Sequence, residues 1–391
     1  MSQRNESHYK FVIDNPSATH HDFTNHFGLN PFHGSSKFYR LKKQVAQHPT
    51  LAKDSSENGY SFEDTKHYWH KSDNVSTFVK VDNSISGFEV VKIIDEILEA
   101  RKLPKVKLPK VKVSEKVLNV VISDMHVGLD PNPQGRALFN YKYNKEIFNY
   151  RLEQVYLSVI KEYNTHGCFD TLVLYDLGDG LDGWNGETTR GGHKLDQNMS
   201  NVDAFKTYVG GKLDLIEKII NGGFASKIAI RSVSKCNHSG DFGYIANETI
   251  KMLIERVYNK AVCSFYILEK FMEHFTHGDH CFIITHGKDD KVMKFGMPLN
   301  LNDKTINFIN SYIKHYKIDS KYVHLYKGDL HQVSYSKTKD FDYRNFAAFA
   351  PPSSWVQHNF VNGVSGYSTQ VIPLHSNETS HSDYFFEFDE Q

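Results

Sequence analysis

The stretch "KVLNVVISDMHVG", residues 116–128, is an apolar run that stops at Ser123 and then delivers Asp124 and His126. A short apolar run bounded by small and acidic residues reads as a buried strand. Near the other end of the chain "SKYVHLYKGDLH" (320–331) has the same build and delivers Asp329 and His331. Three more runs lie between them. "DTLVLYDLGD" (170–179) leads into Gly178-Asp179-Gly180-Leu181-Asp182, "SKIAIRSVSKCNH" (226–238) into Asn237-His238, and "HCFIITHG" (280–287) into His286. The intervening "YNKEIFNYRLEQVYLSVIKEY" (143–163) and "DAFKTYVGGKLDLIEKIING" (203–222) are helix-like. Buried strands alternating with amphipathic helices predict a layered α/β domain, and in such domains ligands gather beyond the carboxyl ends of the strands.

Working outward, "RKLPKVKLPKVKV" (101–113) repeats LPKVK. Each proline biases its predecessor away from the helical region and the lysines repel one another, so the segment reads as an extended basic linker over 101–116. Its alternative is an edge strand, because valines and leucine interleave with lysine. Residues 1–100 then form a separate N-terminal α+β module and 117–391 the main domain, within the two or three domains expected of 391 residues. In the module, "HHDFTNHFGLNPFHGSSKFYRLKKQVAQ" (20–47) has the outline of a helix-turn-helix whose second helix carries Lys37, Arg40, Lys42 and Lys43. A solvated basic helix with no nucleic-acid role explains the same residues. "YWHKSDNVSTFVKV" (68–81) alternates like a strand or hairpin, and "GFEVVKIIDEILEARK" (87–102) has helical periodicity. The module's role is DNA binding or oligomerisation.

Hydrophobic residues at 39% and charged residues at 24% describe an ordinary globular protein, and a net charge of zero argues neither for nor against a nucleic-acid partner. No signal-like start and no apolar stretch of membrane-spanning length is present, so a cytoplasmic protein is expected, in the host cytoplasm if phage-encoded. Four cysteines without CxxC spacing indicate neither a zinc knuckle nor a disulfide framework.

The five strand ends deliver oxygen and nitrogen ligands. A single Asp-x-His after a strand is commonly a helix cap beside a surface histidine. Five such pieces in succession point to a metal centre, and mixed carboxylate, amide and imidazole donors suit Mn2+, with Mg2+, Fe and Zn2+ as other candidates. Two ions about 3.5–4 Å apart are the arrangement for in-line attack on phosphorus.

The ordered series "SDMHVG", "LGDGLDG", "KCNHSGD", "ITHGKDD" and "KGDLHQ" resembles the motifs of the calcineurin-like metallophosphoesterases, D-x-H, G-D-x-x-D, G-N-H-D/E, H and G-H-x-H, over roughly residues 117–375. The resemblance implies a four-layer β-sandwich flanked by helices. It also implies that Asp124, His126 and His331 hold a first divalent ion, that Asp179 bridges to a second, and that Asn237 and His286 hold that second ion. His238 would contact the substrate phosphate and protonate the leaving oxygen, while a hydroxide between the ions attacks. Asp182 would support its loop. Two departures stand out: Cys236 and Ser239-Gly240-Asp241 alter the third motif, leaving Asp241 as a candidate stand-in for its acid, and Asp329 replaces a histidine, with the expectation that it binds the second ion.

Rim residues complete the reading. "NGETTRGGHK" (185–194) offers Arg190 and His193 to an outer phosphate, and "HVGLDPNPQGRALFNYKYN" (126–144) offers Arg136, Tyr141 and Tyr143 for backbone contact or base stacking. With the basic linker and the helix-turn-helix outline, these favour a DNA nuclease, similar to the DNA-repair exonuclease branch and to phage-encoded members with an extra N-terminal module. The enzyme would act alone or as a homo-oligomer, with no membrane partner. The same core serves a nucleotidase, a phosphomonoesterase or a cyclic-nucleotide phosphodiesterase. A DNA-binding regulator with a degenerate site is the third reading. "FAAFAPPSSWVQHNF" (346–360) reads as core strands or an interface.

Overall fold

The computed structural model describes residues 8–58, 67–71, 76–80, 96, 114–258, 260, 262–289, 296–359 and 363–387. The chain falls into two compact units, residues 1–90 and 91–391.

In the first unit, α1 (His8–Asp14), α2 (His20–Phe27), α3 (Pro31–Gln47) and α4 (Pro49–Asn58) precede an antiparallel pair, β1 (His67–Lys71) and β2 (Ser76–Lys80). The hairpin reading is met by that pair. A capping box starts α2: the Thr19 hydroxyl accepts from the Asp22 amide, and the Asp22 carboxylate accepts from the Thr19 amide at 2.8 Å. Gly28 in the left-handed region ends the helix, giving the turn into α3 that the helix-turn-helix outline requires. Phe11, Val12, Phe23, Phe38 and Leu41 form the unit's core. The expected linker at 101–113 and the helix at 87–102 lie outside the described residues, Glu96 and residues 114–116 excepted.

In the second unit, the sequence-predicted strands appear as β3 (Lys116–Ile122), β4 (Phe169–Asp176), β5 (Ala225–Val233), β8 (His280–Ile284) and β9 (Tyr322–Lys327). They are joined by β6 (Cys263–Leu268), β7 (Glu273–His277), β10 (Ser334–Lys337), β11 (Asp342–Asn345), β12 (Gly366–Pro373) and β13 (Ser380–Phe385). One mixed sheet has the order β13-β12-β3-β4-β5-β6 and the other β10-β11-β9-β8-β7. Strand alternation sends Val117 and Val121 of β3, Val173 and Tyr175 of β4, Phe282 and Ile284 of β8, and Tyr326 of β9 into one core between the sheets. Phe282 is fully buried there, and its truncation to alanine would cost about 3–5 kcal/mol.

The alternate residues face outward and are also buried, which is why these strands read as continuous apolar runs. Cys281, Ile283, Val323 and Leu325 pack with Ile309 of α8 (Asp303–His315). On the other side, α5 (Lys145–His166), α6 (Asn201–Gly222) and α7 (Gly240–Val257) connect the parallel strands β3 to β6. Helix-to-sheet hydrogen bonds fix them, among them Thr369 Oγ1 of β12 donating to Glu162 of α5 at 2.7 Å and Lys212 of α6 donating to Ser232 of β5 at 2.8 Å. Gly211 allows α6 to approach α5, since a Cβ there would lie 2.7 Å from the Phe148 ring. The result is four layers of helices, sheet, sheet and helix, the β-sandwich flanked by helices that the resemblance implies.

Of the segment 346–360, read as core strands or an interface, the first part belongs to the core. Phe346 to Ala350 are buried, with Ala348 making an isolated parallel bridge to Ser365, and α9 (Ser354–Asn359) follows. Their amides also serve the site: Phe349 donates to Ser123 O at 2.7 Å and Ala350 to Asp124 O at 3.0 Å. No helix among the described residues is long and apolar enough to cross a membrane.

Candidate metal centre

Five strands, three from one sheet and two from the other, end at the same edge of the sandwich and bring their following loops together. The loops after β3 and β4 are stitched side by side, with the Asp124, His126 and Val127 amides donating to the Gly178, Asp179 and Gly180 carbonyls at 2.8–3.0 Å. The turn after β9 closes against Asp124, whose Oδ2 accepts from the Asp329 amide at 3.2 Å. Gly328 is required there because a Cβ would stand 1.9 Å from Ser123 Oγ.

Among the described residues three clusters bring potential ligand atoms within 4.8 Å of one another: Asp124, His126 and His331; Asp124, Asp179 and His286; and His126, Asp179 and His238. In the first, His126 Nε2 lies 3.2 Å from His331 Nε2, and His331 Nε2 lies 3.4 Å from Asp124 Oδ1. In the second, His286 Nε2 lies 3.0 Å from Asp179 Oδ2, while its Nδ1 donates to the Leu177 carbonyl at 2.9 Å. That bond leaves Nε2 free to coordinate, the usual second-layer device of metal-binding histidine. Asp179 belongs to two clusters, which suits a bridging carboxylate. Asp329 stands outside all three, with Oδ1 3.9 Å from His286 Nε2.

Whether these residues fit a cation can be judged from their electrostatics. Burial by itself would raise the Asp124 and Asp179 carboxyl groups. The facing imidazoles overcome it, and both are held well below the ordinary carboxylate range. Burial likewise disfavours charge on His238 and His286, yet Asp179, with Asp182 for the first and Asp124 and Asp329 for the second, pushes them up to about 9 and about 10. The cavity therefore favours positive charge. Asp124 Oδ1 and Asn237 Oδ1 are buried and have no hydrogen-bond partner among the described residues. Such oxygens are costly unless a cation or water engages them, so the donor set fits a divalent metal.

Asp182 does more than support its loop. Its Oδ1 accepts from His126 Nδ1 at 3.0 Å and lies 3.3 Å from His238 Nδ1, so one carboxylate orients both imidazoles. The spacing of 56 residues hides this relation from sequence reading. Cys236, standing where the motif has glycine, is buried, and its sulfur accepts from the Asp179 amide at 3.2 Å. Asp241, the candidate stand-in for the motif's acid, is an exposed residue of α7 paired with Lys235.

The rim residues fare unevenly. Arg136 and His193 are exposed. Arg190 donates to the Asp289 carbonyl at 2.7 Å and pairs with its carboxylate at 3.2 Å, while its amide donates to Asn237 O at 2.9 Å. Its loop thus braces the Asn237 turn. Tyr141 stacks on Phe139. Tyr143 is not available for base stacking, because it is buried with its hydroxyl donating to Met125 O at 2.6 Å. A cavity of about 320 Å³ opens beside the centre, lined by Lys235, Cys236, His286, Lys288 and Asp289 among others.

No family model matches the chain, and no curated protein matches it. Among solved structures it is similar to Vps29 from Entamoeba histolytica complexed with Zn2+, at 13% identity over 69% of this chain and 99% of that one, with a TM-score of 0.29. A novel archaeal phosphodiesterase aligns at 12% identity over 69% of this chain and 99% of that one, with a TM-score of 0.32. A conserved uncharacterised Streptococcus pneumoniae protein, described as a predicted phosphoesterase, aligns at 12% identity over 70% of this chain and all of the other, with a TM-score of 0.26. These likenesses are distant, and the geometry of the centre stands independently of them.

Proposed function

We propose that the protein is a metal-dependent phosphodiesterase acting on DNA. The observation that carries the reading is the convergence of Asp124, His126, Asp179, His286 and His331 from both sheets, with buried unpartnered oxygens on Asp124 and Asn237. Asp124, His126 and His331 would hold one ion, and Asp179, Asn237 and His286 the other, with Mn2+ the best match to the donors. When bound, the ions would acidify a water and draw the phosphoryl oxygens into line.

The chain's own groups do the rest. Asp182 anchors Nδ1 of His126, presenting Nε2 to the centre. The same carboxylate next to His238 Nδ1 leaves the Nε2 proton as the one to deliver to the leaving oxygen. The Cys236 sulfur and the His238 amide, which donates to Asp179 Oδ1 at 3.2 Å, hold the bridging aspartate in place.

DNA as substrate is supported by the α2-turn-α3 outline in the N-terminal unit and by the exposed Arg136 at the rim. The test starts from metal-stripped protein, adding Mn2+, Mg2+ or Zn2+ in turn to single-stranded DNA, duplex DNA, a chromogenic phosphodiester and a chromogenic monoester. Cleavage of DNA and diester with Mn2+ is expected. Rapid monoester turnover without DNA cleavage overturns the DNA reading, and silence on every substrate overturns the enzyme.

A further inference from the structure

At the opposite end of the sandwich from the metal centre, where β4, β5 and β6 begin, lies a second cavity of about 320 Å³. Asp170 and Thr171 of β4, Lys227 and Arg231 of β5, and Thr276 and His277 of β7 are among its lining residues. Arg231 is 8% exposed, an unusual place for a guanidinium. It is held between two rings, its Cζ 3.8 Å from the Tyr266 centroid and 4.1 Å from that of Phe275. Both rings hold the group in place by cation–π contact. Arg231 Nε and Nη1 and His277 Nε2 are buried and lack a hydrogen-bond partner among the described residues. Three orphaned nitrogens at one cavity are a costly arrangement for a resting core, and a ligand that accepts hydrogen bonds resolves it. Burial, with the adjacent Arg231, also holds the His277 imidazole down to about 4.

The wall is not uniformly basic. Lys260 at its edge is paired with Glu255 at 3.2 Å, and Asp170 contributes a carboxylate whose Oδ2 accepts from Thr171 Oγ1 at 2.8 Å. That acid narrows the choice of anion. Sulfate carries no proton at neutral pH and would meet Asp170 with repulsion. A hydrogen-phosphate group can donate its own proton to Asp170 while its other oxygens accept from Arg231 and Lys227. We infer that this cavity is a binding site for a hydrogen-phosphate group, built from Arg231, Lys227 and His277 as donors and Asp170 as the discriminating acceptor. Free phosphate and the terminal group of a phosphomonoester share that chemistry.

The experiment titrates metal-stripped protein with inorganic phosphate and with sulfate at matched ionic strength, reading binding by calorimetry and the His277 imidazole by NMR. Phosphate should bind and move the His277 resonances, with sulfate at least tenfold weaker. Lys227→Met, a change at an exposed side chain, should weaken phosphate roughly tenfold, as expected for one charge-assisted hydrogen bond. Asp170→Asn should bring sulfate level with phosphate. These two variants keep the test decisive if Arg231→Gln fails to fold. Competition by glycerol phosphate assigns the site to a phosphorylated ligand, and its failure to compete assigns it to free phosphate. Equal binding of phosphate and sulfate to the unaltered protein overturns the proposal, as does phosphate affinity unchanged by Lys227→Met. The cavity is remote from the metal ligands, so neither result depends on the phosphodiesterase reading.

Discussion

The two clusters of the candidate metal centre are made by the same device from different donors. In the first, Asp124, His126 and His331 present their ligand atoms at separations of 3.2–3.8 Å. In the second, Asp179 and His286 are 3.0 Å apart, but Asp329, the residue that replaces a histidine of the resembling motif, is 3.9 Å from His286. The first group has imidazole for two of its three donors. The second gathers two carboxylates, and its imidazole is correspondingly pulled toward the protonated form. One group is rich in imidazole and the other in carboxylate.

The comparison breaks outright if either group is dispensable. Asp124→Asn removes a ligand shared by two clusters, and turnover of a chromogenic phosphodiester should fall by more than about 100-fold, beyond the range expected for an outer partner. Activity within a few-fold of the unaltered protein would remove Asp124 from the centre. Asp182→Asn, which disturbs the orientation of His126 and His238, should cost roughly 10–100-fold in metal affinity or turnover, and calorimetric titration should assign that loss to the first ion. A loss confined to the second ion would reverse the assignment of the groups.

Asp329→His sharpens the contrast more gently. It should tighten the weaker of two metal-binding events by a few-fold and leave the stronger one alone, and no change in either would show that Asp329 coordinates nothing. The smallest effect is in thermal stability. In metal-free protein the raised values of His238 and His286 mean that their protonated forms add stability that is complete below about 6.5. It is lost as pH rises through about 9 and then about 10. A melting temperature that declines over that window in metal-free protein, and stays level when Mn2+ replaces the protons, is the expected pair of curves.

Much of the fold was legible because β3, β4, β5, β8 and β9 are largely buried on both faces and so carry short, mostly apolar runs. The strands β10 and β13, "SYSK" and "SHSDYF", lie at sheet edges with polar residues half exposed, and nothing in their spelling separates them from loops. The ligands were legible because each follows a legible strand. What escaped were contacts made across the sandwich: Asp182 serving two histidines, the Cys236 sulfur beneath Asp179, and the amides of Phe349 and Ala350 on the β3 turn. Tyr143 was misread because its place in a polar stretch hid the pocket that buries it.

Five candidate ligand residues, Asp124, His126, Asp179, Asp329 and His331, have φ between 39° and 71°. Few side chains enter that left-handed region readily; asparagine, aspartate and histidine do so more often than others, and β-branched residues hardly at all. The backbone thereby limits how this centre can change through descent. A lineage losing the chemistry could pass to asparagine or glycine at these positions while keeping the fold. Drift to valine or isoleucine would strain the turns themselves, so the loops would be expected to keep their shape longer than their activity.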